Sequence, residues 1–210
     1  MARLMLSLGA ACSLIACNAG VIPPLSAAAR TGDLSGMRAL LDRGADPNAI
    51  GDGARWPPLL HAVHTRQLEA ARLLLEHGAD PNLSANGYTA LMMAAGSGDA
   101  DLLALLLDYG ADAYAQGPGG MTALSTAVTG GALTDIDRPL GGGCYPATLA
   151  VLLAYAPDLR LPSNAAGRDA RFWARVHARV QQARNIAAAV SSGAAPVTSC
   201  RDALVAAKRR

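Results

Sequence analysis

The stretch Leu74-Leu75-Glu76-His77-Gly78-Ala79-Asp80-Pro81-Asn82 has a near copy on either side of it in the chain. The copies are Leu40-Leu41-Asp42-Arg43-Gly44-Ala45-Asp46-Pro47-Asn48 and Leu106-Leu107-Asp108-Tyr109-Gly110-Ala111-Asp112. Their Gly-Ala-Asp triplets recur after 34 and then 32 residues. A period of this length is typical of stacked units that cover one another's apolar faces, so it predicts a solenoid rather than one globular core.

Around each glycine the sequence predicts two short helices. The first begins near a leucine that follows proline or alanine, and alanines after it let neighbouring helices approach closely. Leu73-Leu74-Leu75 and Leu105-Leu106-Leu107 belong to the second helix, which is apolar around most of its surface because units cover both sides. Glycines are expected at the left-handed turns within and after each pair. These glycines are Gly32 and Gly98 within the pairs, and Gly44, Gly78 and Gly110 after them.

A fourth unit starts at Thr122 and ends at Val151-Leu152-Leu153-Ala154-Tyr155-Ala156-Pro157-Asp158. It is longer than the third unit by about 13 residues, which places an insertion at roughly 133–145 between its two helices. Ala156 and Pro157 stand where the other units have Gly-Ala, so the sequence of its terminal turn departs from the repeat pattern.

The units resemble the ankyrin repeat, which begins Thr-Pro-Leu-His, turns at a central glycine and ends in Gly-Ala-Asp. Thr89-Ala90-Leu91, Pro57-Pro58-Leu59 and Pro23-Pro24-Leu25 are the matching starts. The resemblance covers roughly residues 21–159. It implies an all-α ankyrin-repeat solenoid of four helix-turn-helix repeats with short hairpin loops. The predicted repeats are 23–55, 56–88, 89–121 and 122–159.

The N-terminus indicates export. Arg3 precedes an apolar run from Leu4 to about Leu14 that is too short to span a bilayer, so residues 1–16 are interpreted as a signal peptide. Leu14-Ile15-Ala16-Cys17 resembles the lipobox of bacterial lipoproteins, which implies lipidation at Cys17 and a short linker over 17–22; an ordinary cleaved signal is the alternative. By the same resemblance, Asn18 in place of aspartate favours a periplasmic protein anchored to the outer membrane of a Gram-negative bacterium.

Charge is divided unevenly along the chain. Residues 17–159 hold 7 Lys/Arg and 14 Asp/Glu, whereas residues 160–210 hold 10 and 2. A stripe of Phe172, Val176, Val180, Ala183, Ile186 and Val190 predicts a basic amphipathic helix near 168–190 within a C-terminal cap over 160–210. The cap is expected to seal the end of the stack. Its arginines either dock on the acidic repeats or face anionic lipid or an acidic partner.

Candidate chemistry is sparse in this sequence. Cys144 and Cys200 form an even pair in an oxidising compartment, and either a disulfide between them or two free thiols fits. His61 and His64 are spaced to share a helix face and bind a metal, but no third ligand is evident, so no metal site is predicted. No cofactor is expected, and no nucleophile with a paired base can be named.

A ridge of large side chains is the more informative feature. Ile22, Trp56, Tyr88 and Met121 precede the first helix of each unit, a column that lies on the hairpin loops of ankyrin proteins and is commonly exposed there. Ala27, His61, Met93 and Thr126 form the neighbouring concave column. Packing between neighbouring hairpins is the alternative for Trp56 and Tyr88. The predicted partner-binding residues are Trp56, Tyr88, Met121, His61, His64, Met93 and Thr126.

The sequence therefore favours a non-enzymatic, monomeric protein-binding module with no nucleic-acid partner. One hypothesis is an envelope-anchored scaffold that binds a periplasmic or envelope protein, attached to the membrane through its N-terminal lipid. A second is an inhibitor or immunity protein that neutralises a secreted toxin. An enzyme is the third hypothesis, and the absence of an acid, base or nucleophile constellation opposes it.

Overall fold

The helices of this protein form successive pairs in two layers. The computed structural model describes residues 22–50, 56–130, 145–164, 167–168, 170–172 and 175. Within these residues, α1, α3, α5 and α7 pack in sequence as one layer, and α2, α4, α6 and α8 form the other. The predicted all-α solenoid of helix pairs is confirmed. The helices are α1 (Pro24–Thr31), α2 (Leu34–Leu41), α3 (Pro58–His64), α4 (Leu68–Glu76), α5 (Ala90–Ser97), α6 (Ala100–Asp108), α7 (Ala123–Thr129) and α8 (Pro146–Tyr155).

Helix starts follow directly from the residue at each position. Pro24 and Pro58 occupy the first turn of their helices, where the missing N–H has no partner to lose. Thr89 and Thr122 instead precede α5 and α7 as their N-caps. Their side chains accept hydrogen bonds from the backbone of Met92 (3.3 Å) and Ser125 (3.2 Å), which caps otherwise unpaired donors.

Left-handed turns separate the two helices of a unit, as predicted for Gly32 (φ +73°) and Gly98 (φ +74°). The second unit carries Arg66 at the same place, with φ +58°. A side chain in this region costs roughly 1–2 kcal/mol relative to glycine. The Arg66 guanidinium also donates to the carbonyl of Ser97, so it links its turn to the next unit.

The repeated loops hold the units together through one asparagine each. Asn48 donates from Nδ2 to the carbonyl of Gly78 (3.1 Å) and accepts from the backbone N–H of Asp80 (2.8 Å). The loop glycines make this possible because all three are left-handed, with φ between +83° and +85°. The same two bonds join Asn82 to Gly110 (3.1 Å) and Asp112 (2.7 Å).

The fourth unit ends differently. Ala156 follows α8 with φ −131°, so the left-handed turn of the other loops is missing there. Tyr114 stands where the earlier loops have asparagine, and its hydroxyl donates to Asp158 Oδ1 (2.5 Å). This hydrogen bond raises the pKa of Tyr114. A contact between two side chains thus replaces the two bonds from an asparagine side chain to loop backbone that join the earlier units.

The second loop contains a small hairpin. Strands β1 (Ser84–Ala85) and β2 (Tyr88–Thr89) pair antiparallel across Asn86 and Gly87, which have φ +52° and +82°. Two positive φ values in a two-residue turn suit the twist of a hairpin. Pro118, in the short 3-10 turn Pro118–Gly120 of the third loop, packs beside Gly87.

The C-terminal segment is fixed to the last loops by Asn164. Its Nδ2 donates to the carbonyls of Gly119 (2.9 Å) and Gly120 (3.2 Å). Residues 167–168, 170–172 and 175 have helical backbone. Ala170 is fully buried in the core, whereas Phe172 is 52% exposed. The prediction that the stripe from Phe172 seals the stack is therefore wrong at its first position, because the small side chain of Ala170 makes that contact.

None of the helices in the described residues is long and apolar enough to cross a bilayer. The predicted insertion lies almost wholly outside those residues, as do Cys17, Cys144 and Cys200. Tyr145, at the end of the insertion, returns to the stack and donates its backbone N–H to the carbonyl of Ala127 (3.0 Å).

Candidate functional site

Three predicted partner-binding residues come together on the second unit. Trp56 ends the first loop and lies against two histidines of α3. Its ring centroid is 5.5 Å from that of His61, at an interplanar angle of 46°, and 5.2 Å from that of His64, edge to face at 72°. Trp56 is half-buried and His64 is exposed, so the cluster stands at the surface. The spacing of the histidines explains the arrangement, since residues three apart share a helix face.

His61 is the unusual member of this cluster. Its side chain is 7% exposed, and Nε2 is buried without a hydrogen-bond partner in the described structure. Burial lowers the pKa of His61, and the charges of Arg30 and His64 lower it further. The imidazole is thus favoured in its neutral form. A buried polar atom left unpaired costs about 1–3 kcal/mol, which makes it a candidate contact point for a ligand.

The neighbouring units contribute two half-buried side chains and one positive charge near the cluster. Met93 occupies the position of His61 on the neighbouring helix α5 and is half-buried, as is Tyr88 on strand β2. Arg30, exposed at the end of α1, supplies a positive charge on the other side. Residue patterns alone missed Arg30, although it occupies the position of His64 in the first unit and could have been found by that alignment.

Besides His61, two predicted contact residues are buried in the fold. Met121 is 4% exposed because the third loop closes over it; its backbone carbonyl accepts from Gly117 (2.8 Å). Thr126 is fully buried, and its hydroxyl donates to the carbonyl of Ala123 (2.9 Å). Both serve packing within the chain, so the expectation that they contact a partner is corrected. The exposed column ends at Tyr88 because the third loop folds differently from the second.

The sequence analysis also did not predict the hairpin of the second loop. The Asn86-Gly87 pair between Ser84-Ala85 and Tyr88-Thr89 is a strong hairpin signal that the repeat alignment did not use. This hairpin holds Tyr88 at the edge of the candidate surface.

Other candidate chemistry is not assembled in the described residues. There, no three His, Cys, Asp or Glu side chains form a group that could hold a metal ion. Cys144 and Cys200 lie outside the described residues, so their pairing stays a prediction. The lipidation of Cys17 likewise stays a prediction.

Comparison with known proteins supports the repeat alignment. A family model described as "Ankyrin repeats (3 copies)" matches residues 4–85 and 25–117, which together span more than half of the chain. The matched residues end before the fourth helix pair, although α7 and α8 continue the same two layers. A comparison with curated proteins finds no match.

Proposed function

Since the chain belongs to the ankyrin-repeat family, whose members are generally protein-interaction modules and typically not enzymes, we propose that it binds a partner protein through the Trp56 cluster. This cluster consists of Trp56, His61 and His64, with Tyr88 and Met93 beside it. The partner is a periplasmic or envelope protein that this chain recruits as a scaffold.

The observation that carries the proposal is the unpaired Nε2 of buried His61 under a half-buried indole. A partner group that reaches this nitrogen would recover the hydrogen bond that the chain lacks. Trp56 supplies the large rigid contact area that is typical of interface hot spots. Because Nε2 is already buried, a partner would reach it only by displacing a side chain of this cluster, whereas the half-buried indole is open to direct contact.

A pull-down with the tagged chain from a membrane extract tests the proposal. Trp56→Ala and Tyr88→Ala are each expected to reduce partner recovery at least tenfold, because truncation of a hot-spot residue commonly costs about 2 kcal/mol of binding free energy. Tyr109→Ala is the matched control, because Tyr109 is 40% exposed at the end of α6, away from the cluster. Equal recovery with all three variants would show that the cluster is not the binding surface.

We also propose that a lipid on Cys17 holds the chain at the membrane, on the side of the envelope where the partner lies. The lipobox-like Leu14-Ile15-Ala16-Cys17 supports this. Cys17→Ala should move the protein from the membrane pellet to the soluble fraction when the membranes are washed at high salt, which screens charge-based attachment. A variant that stays in the pellet after this wash would contradict the lipid anchor, whereas a released variant that still binds its partner would separate the anchor from the binding function.

A further inference from the structure

The described arginines after α8 form no ion pair with the acidic stack. Arg160, Arg168, Arg171 and Arg175 are all exposed. Within the described residues, the one ion pair is Arg72 with Glu69 (3.7 Å), far earlier in the chain. The expectation that the basic segment docks on the acidic repeats therefore finds no support at these four positions, and their charges are left for an external anion.

These arginines are held on a fixed base. Asn164 binds the third loop through Gly119 and Gly120, and its carbonyl accepts from the backbone N–H of Arg168 (3.1 Å). Arg171 donates from Nη1 to the carbonyl of Pro162 (3.1 Å). Ala170 is fully buried in the core. The helical turn that carries the arginines is therefore attached to the end of the stack.

The arginines share one face of that turn. Residues 168, 171 and 175 are spaced by three and four, which places them together on a helix. Ala170 lies more than a quarter turn away and makes the contact with the core, so the arginine face points away from the stack. Phe172 lies at the edge of this face and is 52% exposed, and Tyr155 at the end of α8 is 55% exposed.

We propose that this arginine face binds an anionic lipid surface. Guanidinium groups along one side of a helix, with the exposed ring of Phe172 at its edge, form a composition that suits the headgroup region of anionic bilayers. Residues 176–210 add six further Lys/Arg and one Asp, so no compensating acidic run follows. The surface is separate from the Trp56 cluster and does not depend on a lipid at Cys17.

Vesicle binding tests this proposal on the full chain carrying Cys17→Ser, so that no lipid is attached. A Trp56→Phe background leaves Trp173 as the single tryptophan, next to Phe172. Its emission should shift to the blue with vesicles of phosphatidylcholine and phosphatidylglycerol, and much less with phosphatidylcholine alone. High salt should weaken the binding, since screening shortens the reach of the charges.

The decisive variants remove three arginine charges, either from the proposed face or from elsewhere on the stack. R168Q/R171Q/R175Q should weaken binding to the anionic vesicles by about 100-fold, because each arginine near such a surface contributes roughly a fivefold gain. R38Q/R43Q/R72Q, exposed arginines of α2, its following turn and α4, should change it little. R168K/R171K/R175K keeps the charge and should retain most of the binding.

Circular dichroism shows whether each variant folds. If R168Q/R171Q/R175Q does not fold, R175Q alone should still lose about fivefold. Equal losses in the two glutamine variants, or equal binding to the two kinds of vesicle, would overturn the proposal. Binding to an acidic protein with no affinity for the anionic vesicles would also overturn it.

Discussion

The second and fourth units have the same two-helix plan but are joined to their neighbours by different contacts. The second unit is joined to its neighbours by Asn48 and Asn82, each through two bonds to loop backbone. The fourth unit is joined by the side chains of Tyr114 and Asp158 instead. Inside the units, it is the fourth unit whose polar side chain has a hydrogen-bond partner. Thr126 of the fourth unit has its hydroxyl paired, whereas His61 at the same position of the second unit has an unpaired Nε2.

This comparison separates architecture from function. Repeated loops with repeated sequence make repeated bonds, so the loop asparagines join the middle units and side chains elsewhere in those units are free to vary. His61 uses that freedom, because an unpaired buried nitrogen costs stability that the loops on both sides can carry. The fourth unit uses its polar side chains within its own helices, and the segment after it is held on the third loop by Asn164.

The largest expected effect is on stability and concerns the Gly98 turn of the third unit, where Tyr145 of the fourth unit packs. Gly98 has φ +74°, and a Cβ there would lie 2.6 Å from Cγ of Tyr145. Gly98→Ala should therefore cost about 2–4 kcal/mol, from the left-handed backbone and from displacing the ring. Gly110→Ala is the matched control: its φ is +84° with open space around it, so about 1–2 kcal/mol is expected.

Urea unfolding of both variants measures this difference. Adding Tyr145→Ala to Gly98→Ala should remove the steric part of the loss and leave the backbone part. If the two alanine variants were equally stable, the contact between the fourth unit and the Gly98 turn would not be the determining one.

The second effect concerns the loops of the middle units. Asn82→Ala removes two bonds between units, each worth about 0.5–1.5 kcal/mol, so a loss of about 1–3 kcal/mol is expected. Asn48→Ala breaks the same two bonds one unit earlier and should give a similar loss. An Asn82→Ala variant as stable as the parent in urea would mean that helix packing alone joins these units.

Much of this architecture could be predicted from the sequence. Gly44, Gly78 and Gly110 marked the loop turns because a left-handed residue after a helix strongly favours glycine. The burial of Met121 could not be predicted, since it depends on how the third loop folds back through Gly117. The helical spacing placed His61 beside His64, and the repeat alignment placed the column of Trp56 next to that of His61, but the ring contacts depend on side-chain orientations that the sequence does not show.

A third effect depends on pH and distinguishes His61 from Thr126. The pKa of His61 is lowered in the fold by burial, Arg30 and His64, so the folded chain binds its proton less readily than the unfolded chain does. The contribution of neutral His61 is complete above the ordinary histidine pKa and is lost as the pH falls below it. The melting temperature should therefore fall between pH 7.5 and pH 5, roughly the range over which histidine titrates.

His61→Leu should reduce that fall, because leucine carries no titrating group. Thermal melting at several pH values measures it. His77→Leu, at an exposed position of the same unit, is the control and should leave most of the pH dependence in place. The same fall in both variants and in the parent would assign the pH dependence to other groups.

The smallest effect tests the substitute contact of the fourth unit. Tyr114→Phe removes the hydrogen bond to Asp158 and should lower stability less than Asn82→Ala does, because it removes one exposed bond between units where Asn82→Ala removes two. The raised pKa of Tyr114 means that this contact is complete below the ordinary tyrosine pKa and is lost as the pH rises through the folded value. Tyr114→Asn should not restore the bonds of the middle loops, because Ala156 with φ −131° does not form the turn that Asn48 and Asn82 bind. Urea unfolding of both variants beside Asn82→Ala checks this order. A Tyr114→Asn chain more stable than the parent would show that the asparagine bonds need only the asparagine, and that the loop turn is not what distinguishes the two units.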